Sequence, residues 1–296
     1  MKSHVYVLLS VFLWGISQYL IDNLLLVFTP ALLILLRFLS AGLLILILLK
    51  GQRVFKKPDS SGSKAPAFQF RYLLTGGLGA FGYYILMVYA LSFSSITFVS
   101  IMGGVLPVLA VLFDRFIVNR RPGKLQIFAG WVSMSGILFF AIEGNFAWSV
   151  PSALLVIGAN ISWLFYGHLK IKWNIGEDSA VLAYEFIGAA LLTLLFIPSY
   201  KILKPLTVSC ILELAAVVIL STILPYLLYL KGSKAISIST ASMYLNLLPV
   251  TSLLPVLLAG TLTLNRMQSA GVILLILSAV IGKEPSVPSF QSSRNS

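Results

Sequence analysis

Two charges stand alone inside long apolar stretches of this 296-residue chain: Arg37, within RFLSAG, and Glu185, within EFIGAA. An isolated charge at mid-helix in hydrocarbon costs about 3 kcal/mol or more, so each is a candidate for function by default. Arg37 could bind a carboxylate or hold a gate, and Glu185 could carry a proton; the competing reading for both is snorkelling and bonding to helix ends. About 10 residues, or roughly 15 Å, from either end of their stretches lie Trp14, Gln18, Tyr83, Tyr84, Ser100, Gly103, Asn160, Trp163, Tyr226, Tyr244 and Asn246. Trp and Tyr prefer the headgroup belts, and an amide in hydrocarbon needs a partner. Any one of these residues is explained by an interhelical hydrogen bond worth about 1 kcal/mol; as a set they predict an interior substrate cavity. Pro107 and Pro249 each fall about ten residues into a stretch, where proline removes a backbone hydrogen bond and kinks or opens a helix. The freed carbonyls would either contact substrate or be absorbed by packing.

That lining offers donors, acceptors and ring faces without a cluster of basic groups. It suits a small neutral or zwitterionic metabolite better than a nucleotide or sugar phosphate, which would call for several Arg or Lys. Enzyme signatures are missing. His4 and His168 lie near the ends of stretches with no HExxH or metal-ligand spacing, and no Ser sits in GxSxG. Gly77, Gly79 and Gly82 spell GxGxxG, but within an apolar stretch and with no strand before them, so they read as small residues for close helix packing. The sequon at Asn160 lies at membrane depth, out of reach of a transferase. No metal and no cofactor is expected.

The elements that must position these groups follow from composition. At 58% apolar and 10% charged, with mean hydropathy +0.97, the chain is far from the charged quarter of a soluble domain. Stretches of helical length run over Val5 to Ile21, Ala31 to Leu49, Tyr72 to Phe93, Ile96 to Phe113, Leu125 to Ile142, Val150 to Leu169, Ala180 to Ile197, Val208 to Leu230, Ile238 to Gly260 and Met267 to Ile281. Turn signals or charge separate them, including the Lys56 to Ala67 run, Gly144 with Asn145, and Pro205. The fold class expected is an all-α membrane protein of ten transmembrane helices. Lys2 before an apolar run imitates a secretory signal, a reading rejected because it would orphan the repeat described next.

Of 21 basic residues, 17 fall in alternate loops and termini, among them Lys56, Arg71, Arg115, Lys124, Lys170, Lys231 and Lys283; Lys201, Lys204 and Arg266 fall opposite, and Arg37 lies within a helix. The positive-inside rule then makes both termini cytoplasmic, and the net charge of +12 reports topology rather than a nucleic-acid partner. The single cysteine, Cys210, cannot form an intramolecular disulfide.

Laid on itself at an offset of 142, the chain repeats: Tyr84 falls on Tyr226, Ser95 on Ser237, Ser100 on Ser242, and LPV at 106–108 on LPV at 248–250. Gly130 meets Gly271 after one deletion, Arg37 meets Glu185, and Trp14 meets Trp163. Two repeats of five helices must be threaded in opposite senses, because five is odd. Residues 4–142 are the first repeat and 150–283 the second, inverted one, with 284–296 a disordered cytoplasmic tail. Inverted repeats favour two conformations of similar energy, one open to each side, about a midplane site. Arg37 would sit nearer the outer face and Glu185 nearer the cytoplasm, which argues against a direct pair.

LWG at 13–15, Arg37, GGVLPVLAVL at 103–112 and YLNLLPVTSLL at 244–254 resemble the EamA family of the drug/metabolite transporter superfamily, over roughly residues 4 to 283. The family pattern places a glutamate shortly after helices four and nine, where this chain has Asn119 to Arg121 and Thr261 to Asn265, so no role is carried over from those acids. The resemblance implies a bacterial inner-membrane exporter or permease of amino acids or other small metabolites. The expectation is a secondary transporter working by alternating access, outward, with proton coupling in view and membrane lipids around it. A passive facilitator, a lipid-modifying enzyme and a non-transporting scaffold are the alternatives. The small residues serve packing within the chain or a homodimer equally well.

Overall fold

The computed structural model describes residues 2–55, 69–119, 121–142, 149–176, 178–233, 244–260 and 262–281. The Lys56 to Ala67 run, Gly144 with Asn145, Ser237, Ser242, the start of the stretch expected from Ile238, Thr261 and the tail from 284 lie outside the described residues, as does the side chain of Asn246. Within the described residues the chain is helical without strands, carrying one isolated antiparallel bridge between Phe28 and Ile202. In chain order the helices are α1 (Lys2–Leu25), α2 (Pro30–Phe55), α3 (Phe70–Phe93), α4 (Ile96–Phe116), α5 (Lys124–Ile142), α6 (Val150–Lys172), α7 (Ser179–Ser199, its last turns 3-10), α8 (Val208–Ser233), α9 (Leu248–Leu258) and α10 (Arg266–Ile281). All but α5, α9 and α10, seven among the described residues, are long and apolar enough to cross a membrane; those three are shorter apolar helices. This is a multi-pass helical membrane protein.

Local chemistry sets the ends. Ser149, Asp178 and Thr207 cap α6, α7 and α8 by accepting from the backbone N–H of Ser152, Ala180 and Cys210. Asn265 and Gln268 bond reciprocally, each side chain accepting from the other's backbone N–H, and so start α10 as a capping box does. Beyond the C-terminal end of α9, Gly260 adopts φ +68°, the left-handed conformation that ends a helix without Cβ strain.

Four of the elements are irregular or irregularly entered. In α3 the turns Gly77–Gly82 widen to a π-helix, and in α8 the turns Val217–Ile223 do the same. Helix α4 breaks at Gly104 and Val105, and the chain enters α9 through a 3-10 turn, Leu245–Leu247. The two prolines expected near the middle of a helix instead begin one: Pro107 lies in the first turn of Leu106–Phe116 and Pro249 in the first turn of Leu248–Leu258. There the missing N–H would have had no intrahelical partner in any case. The carbonyl of Gly104 at the α4 break accepts from the Ser133 hydroxyl of α5.

The chain forms two compact units, each drawing on early and late sequence: residues 1–16, 100–147 and 228–296 make one, and 17–99 and 148–227 the other. In the first, α5 and α10 pack through glycine. A Cβ on Gly271 would stand 2.7 Å from the Gly136 carbonyl oxygen, and one on Gly136 would stand 2.9 Å from that of Gly271. The second unit is built on α2 against α7 and on α3 against α6 and α7. A Cβ on Gly76 would collide with the backbone of Glu185, so the small residue lets α3 approach that carboxylate. Gly79 and Gly82 leave room in the same way for Tyr166 and Ser162 of α6.

Two buried polar clusters and an aromatic chain

Arg37 and Glu185, both in the second unit, are among its most buried side chains, at 2% and 1% exposure. They do not pair with each other; each has its own set of partners on other helices.

The Arg37 guanidinium is bound by neutral oxygens. Its Nε donates to Thr222 Oγ1 at 2.6 Å, and Nη2 donates to the Ser221 carbonyl at 3.1 Å and to Ser221 Oγ at 3.0 Å. Ser221 Oγ donates in turn to Ser17 Oγ of α1 at 2.7 Å. These acceptors lie in the π-helical turns of α8, where widening shifts backbone bonds to the residue five back and leaves a carbonyl open to a side chain. Thr222 uses the same geometry, donating to the Val217 carbonyl. The guanidinium carbon lies 4.2 Å from the Tyr84 ring centroid and 5.3 Å from that of Phe38, where ring quadrupoles stabilise a cation that has lost its water.

Glu185 is gripped from two sides. Thr75 of α3 donates to Oε1 at 2.8 Å and Tyr166 of α6 donates to Oε2 at 3.1 Å. Lys170 Nζ lies 3.4 Å from each carboxylate oxygen and donates to the Tyr166 hydroxyl at 3.2 Å. Tyr166 and Lys170 are four residues apart on α6, hence on one face.

Between the clusters runs an unbroken series of rings. Tyr84 lies edge-on to Tyr83 at 5.0 Å, Tyr83 is 5.5 Å from Trp163, and Trp163 is 5.1 Å from Tyr166. A branch leads from Tyr84 through Phe38 and Phe186 to Tyr226, at 5.3, 5.3 and 5.0 Å. Asn160, 4% exposed and three residues before Trp163, has an Nδ2 with no hydrogen-bond partner among the described residues. Of the residues expected to line a cavity, Tyr83, Tyr84, Asn160, Trp163 and Tyr226 therefore belong to the second unit together with Arg37 and Glu185, and Gln18 is half-buried in the same unit.

Trp14, Ser100, Gly103 and Tyr244 belong to the first unit, as do Pro107, Pro249 and the backbone of Asn246. There Trp14 lies 5.5 Å from Tyr229, the Tyr244 hydroxyl bonds His4 Nδ1 at 2.9 Å, and a Cβ on Gly103 would stand 3.9 Å from Pro249. Sequence reasoning missed Thr75, Tyr166, Lys170, Ser17, Ser221 and Thr222. The only signals were the Ser-Thr pair inside VVILSTI and the four-residue spacing of Tyr166 and Lys170.

The model of the EamA-like transporter family matches residues 1–142. A transporter of Bacillus subtilis (strain 168), YyaM, described only as an uncharacterized transporter, is 24% identical over 220 residues, covering 71% of each chain. A protein of known crystal structure superposes with a TM-score of 0.69 at 18% identity, over 95% of this chain and 96% of the other, which establishes likeness of fold. With the apolar helices described above, these comparisons support a membrane transporter and not an enzyme. Residues 1–142 are thus similar to the EamA-like transporter family, and the chain as a whole is similar to a bacterial transporter.

Proposed function

We propose that the chain is a ten-helix secondary transporter whose halves, 4–142 and 150–283, are inverted repeats. It moves a small neutral or zwitterionic metabolite, of the amino-acid kind, outward across the inner membrane by alternating access, with both termini and the 284–296 tail cytoplasmic. The observation that carries this reading is the matched irregularity of the two halves. At the offset of 142 the π-helical turns of α3 fall on 219–224 and those of α8 occupy Val217–Ile223; the α4 break at Gly104 and Val105 falls on 246–247, inside the 3-10 turn Leu245–Leu247. The buried charges obey the same relation. Arg37 of α2 is bonded by α8 and, through Ser221, linked to α1; Glu185 of α7 is bonded by α3 and α6, the corresponding helices of the opposite half. Broken and widened helices at matching positions are how inverted-repeat carriers expose backbone and polar groups to solute.

Substrate contact falls to the aromatic chain and its amide: Tyr83, Tyr84, Trp163, Tyr226 and Asn160. Their donors and ring faces suit an apolar or aromatic body. Glu185 supplies proton coupling and Arg37 holds α2, α8 and α1 together on the outer side. Reconstituted protein loaded with a labelled amino acid should show saturable counterflow that unlabelled amino acids inhibit and sugar phosphates do not. Competition by phosphorylated solutes alone overturns the substrate class. Flux that saturates but never responds to an imposed gradient reduces the protein to a passive facilitator.

A further inference from the structure

The bonds at Glu185 are unequal in length and kind. Thr75 and Tyr166 approach the carboxylate at 2.8 and 3.1 Å, one on each oxygen, and so fix its plane. Lys170 stands at 3.4 Å from both oxygens, beyond the 2.7–2.9 Å or so of a close ammonium–carboxylate hydrogen bond. It is also the member with a way out. Its side chain is 13% exposed against 2% for Glu185, and it lies in the last turn of α6, where a flexible four-carbon stem lets the ammonium withdraw toward water.

Withdrawal leaves an oriented carboxylate beside the Tyr166 ring, over which Lys170 Nζ lies at 5.1 Å, with Trp163 and Tyr83 next in the series. Such a carboxylate cannot remain buried and charged without a cation. A fixed carboxylate, a phenol and an approach lined by ring faces together make a receptor for an organic ammonium group. From α3 the carboxylate meets Thr75 and from α6 it meets Tyr166 and Lys170, and among the described residues no second acid bonds to this network.

We infer that Glu185, Thr75 and Tyr166 form a binding site for the ammonium group of the transported solute, and that Lys170 is the chain's own occupant of that site, displaced when the solute binds. The inference rests on the carrier reading above and extends it by naming the group recognised and its competitor. An internal competitor lowers the apparent affinity by the fraction of time it vacates the site.

The test is binding to the full-length protein in detergent, which requires no transport, using phenethylammonium as probe and 2-phenylethanol as its uncharged counterpart, read by Trp fluorescence and by thermal stability. Lys170→Met should bind phenethylammonium about tenfold more tightly than wild type. Lys170→Met combined with Glu185→Gln should lose that gain, and 2-phenylethanol should bind neither. Lys170→Gln serves if Lys170→Met does not purify folded. Equal affinity in wild type and both Lys170 variants, binding that survives Glu185→Gln, or a Lys170 variant that responds to acid and ignores the amine each overturns the proposal. Counterflow of solutes lacking an amine, with no binding at Glu185, removes this site while leaving the carrier intact. Amine binding with no flux in liposomes removes the carrier reading and leaves the site.

Discussion

The Arg37 guanidinium donates to the Thr222 hydroxyl at 2.6 Å, joining two residues 185 positions apart in sequence. Together with Ser221 this makes a buried cation whose partners are neutral oxygens alone among the bonds that hold it. Removing the acceptors while keeping the charge should therefore hurt more than removing the charge, because an under-solvated buried ion is worse than an apolar side chain of similar size. Ser221→Ala with Thr222→Val should cost about 1–3 kcal/mol per lost acceptor, and Arg37→Met less than that pair. Thermal unfolding in detergent measures the order, and a larger loss for Arg37→Met contradicts the account.

The glycine seam between α5 and α10 gives a second prediction. Gly136→Ala would bring a methyl to 2.9 Å from the Gly271 carbonyl and 3.1 Å from Leu275, overpacking of a kind that costs about 1–3 kcal/mol. Gly167→Ala, with nothing within 4 Å of its new Cβ, should be neutral or gain about 0.5–1 kcal/mol from helix propensity. The difference in melting temperature between the two variants checks it.

Topology is open to labelling because Cys210 is the single cysteine. On a Cys210→Ser background, Ser60→Cys and Ile175→Cys should react with an impermeant maleimide from the cytoplasmic side, and Ile202→Cys from the outside. Labelling of positions 60 and 175 from opposite sides would contradict the inverted repeat.

A fourth prediction concerns the ring series. Trp163 touches both Tyr83 and Tyr166, so Trp163→Ala should raise the half-saturation concentration of counterflow about tenfold, matching the 0.5–1.5 kcal/mol typical of one aromatic contact. An unchanged half-saturation would place substrate elsewhere.

The helical segments were legible because an apolar run of about 20 residues has few alternatives to a membrane helix, and Arg37 and Glu185 stood out for the same reason. The expectation that they form no direct pair agrees with their separate sets of partners. Their partners were not. Ser221, Thr222 and Thr75 are ordinary small polar residues within apolar runs, and which of them faces a charge depends on helix rotation and on π-helical turns that composition does not announce. Lys170 was read for its sidedness and not for its contact with Glu185, for a definite reason. Its position at the end of α6 makes it count toward the positive-inside tally, while a long side chain lets it reach back four residues to Tyr166 and across to α7. The prolines were expected to kink or open their helices, and each follows a break or 3-10 turn and stands in the first turn of the helical segment after it.

The short bridge between Phe28 and Ile202 is drawn tight by Leu203 N–H donating to the Val27 carbonyl at 2.7 Å and Thr29 N–H to that of Lys201 at 3.1 Å. It stitches the α1–α2 turn to the α7–α8 turn, while α2 lies along α7 and α3 along α6 in the same unit. Early and late sequence are thus woven together within this unit rather than laid end to end. A polypeptide severed between residues 142 and 150 should accordingly be recovered as a pair of fragments that purify together, neither of them a protein in its own right.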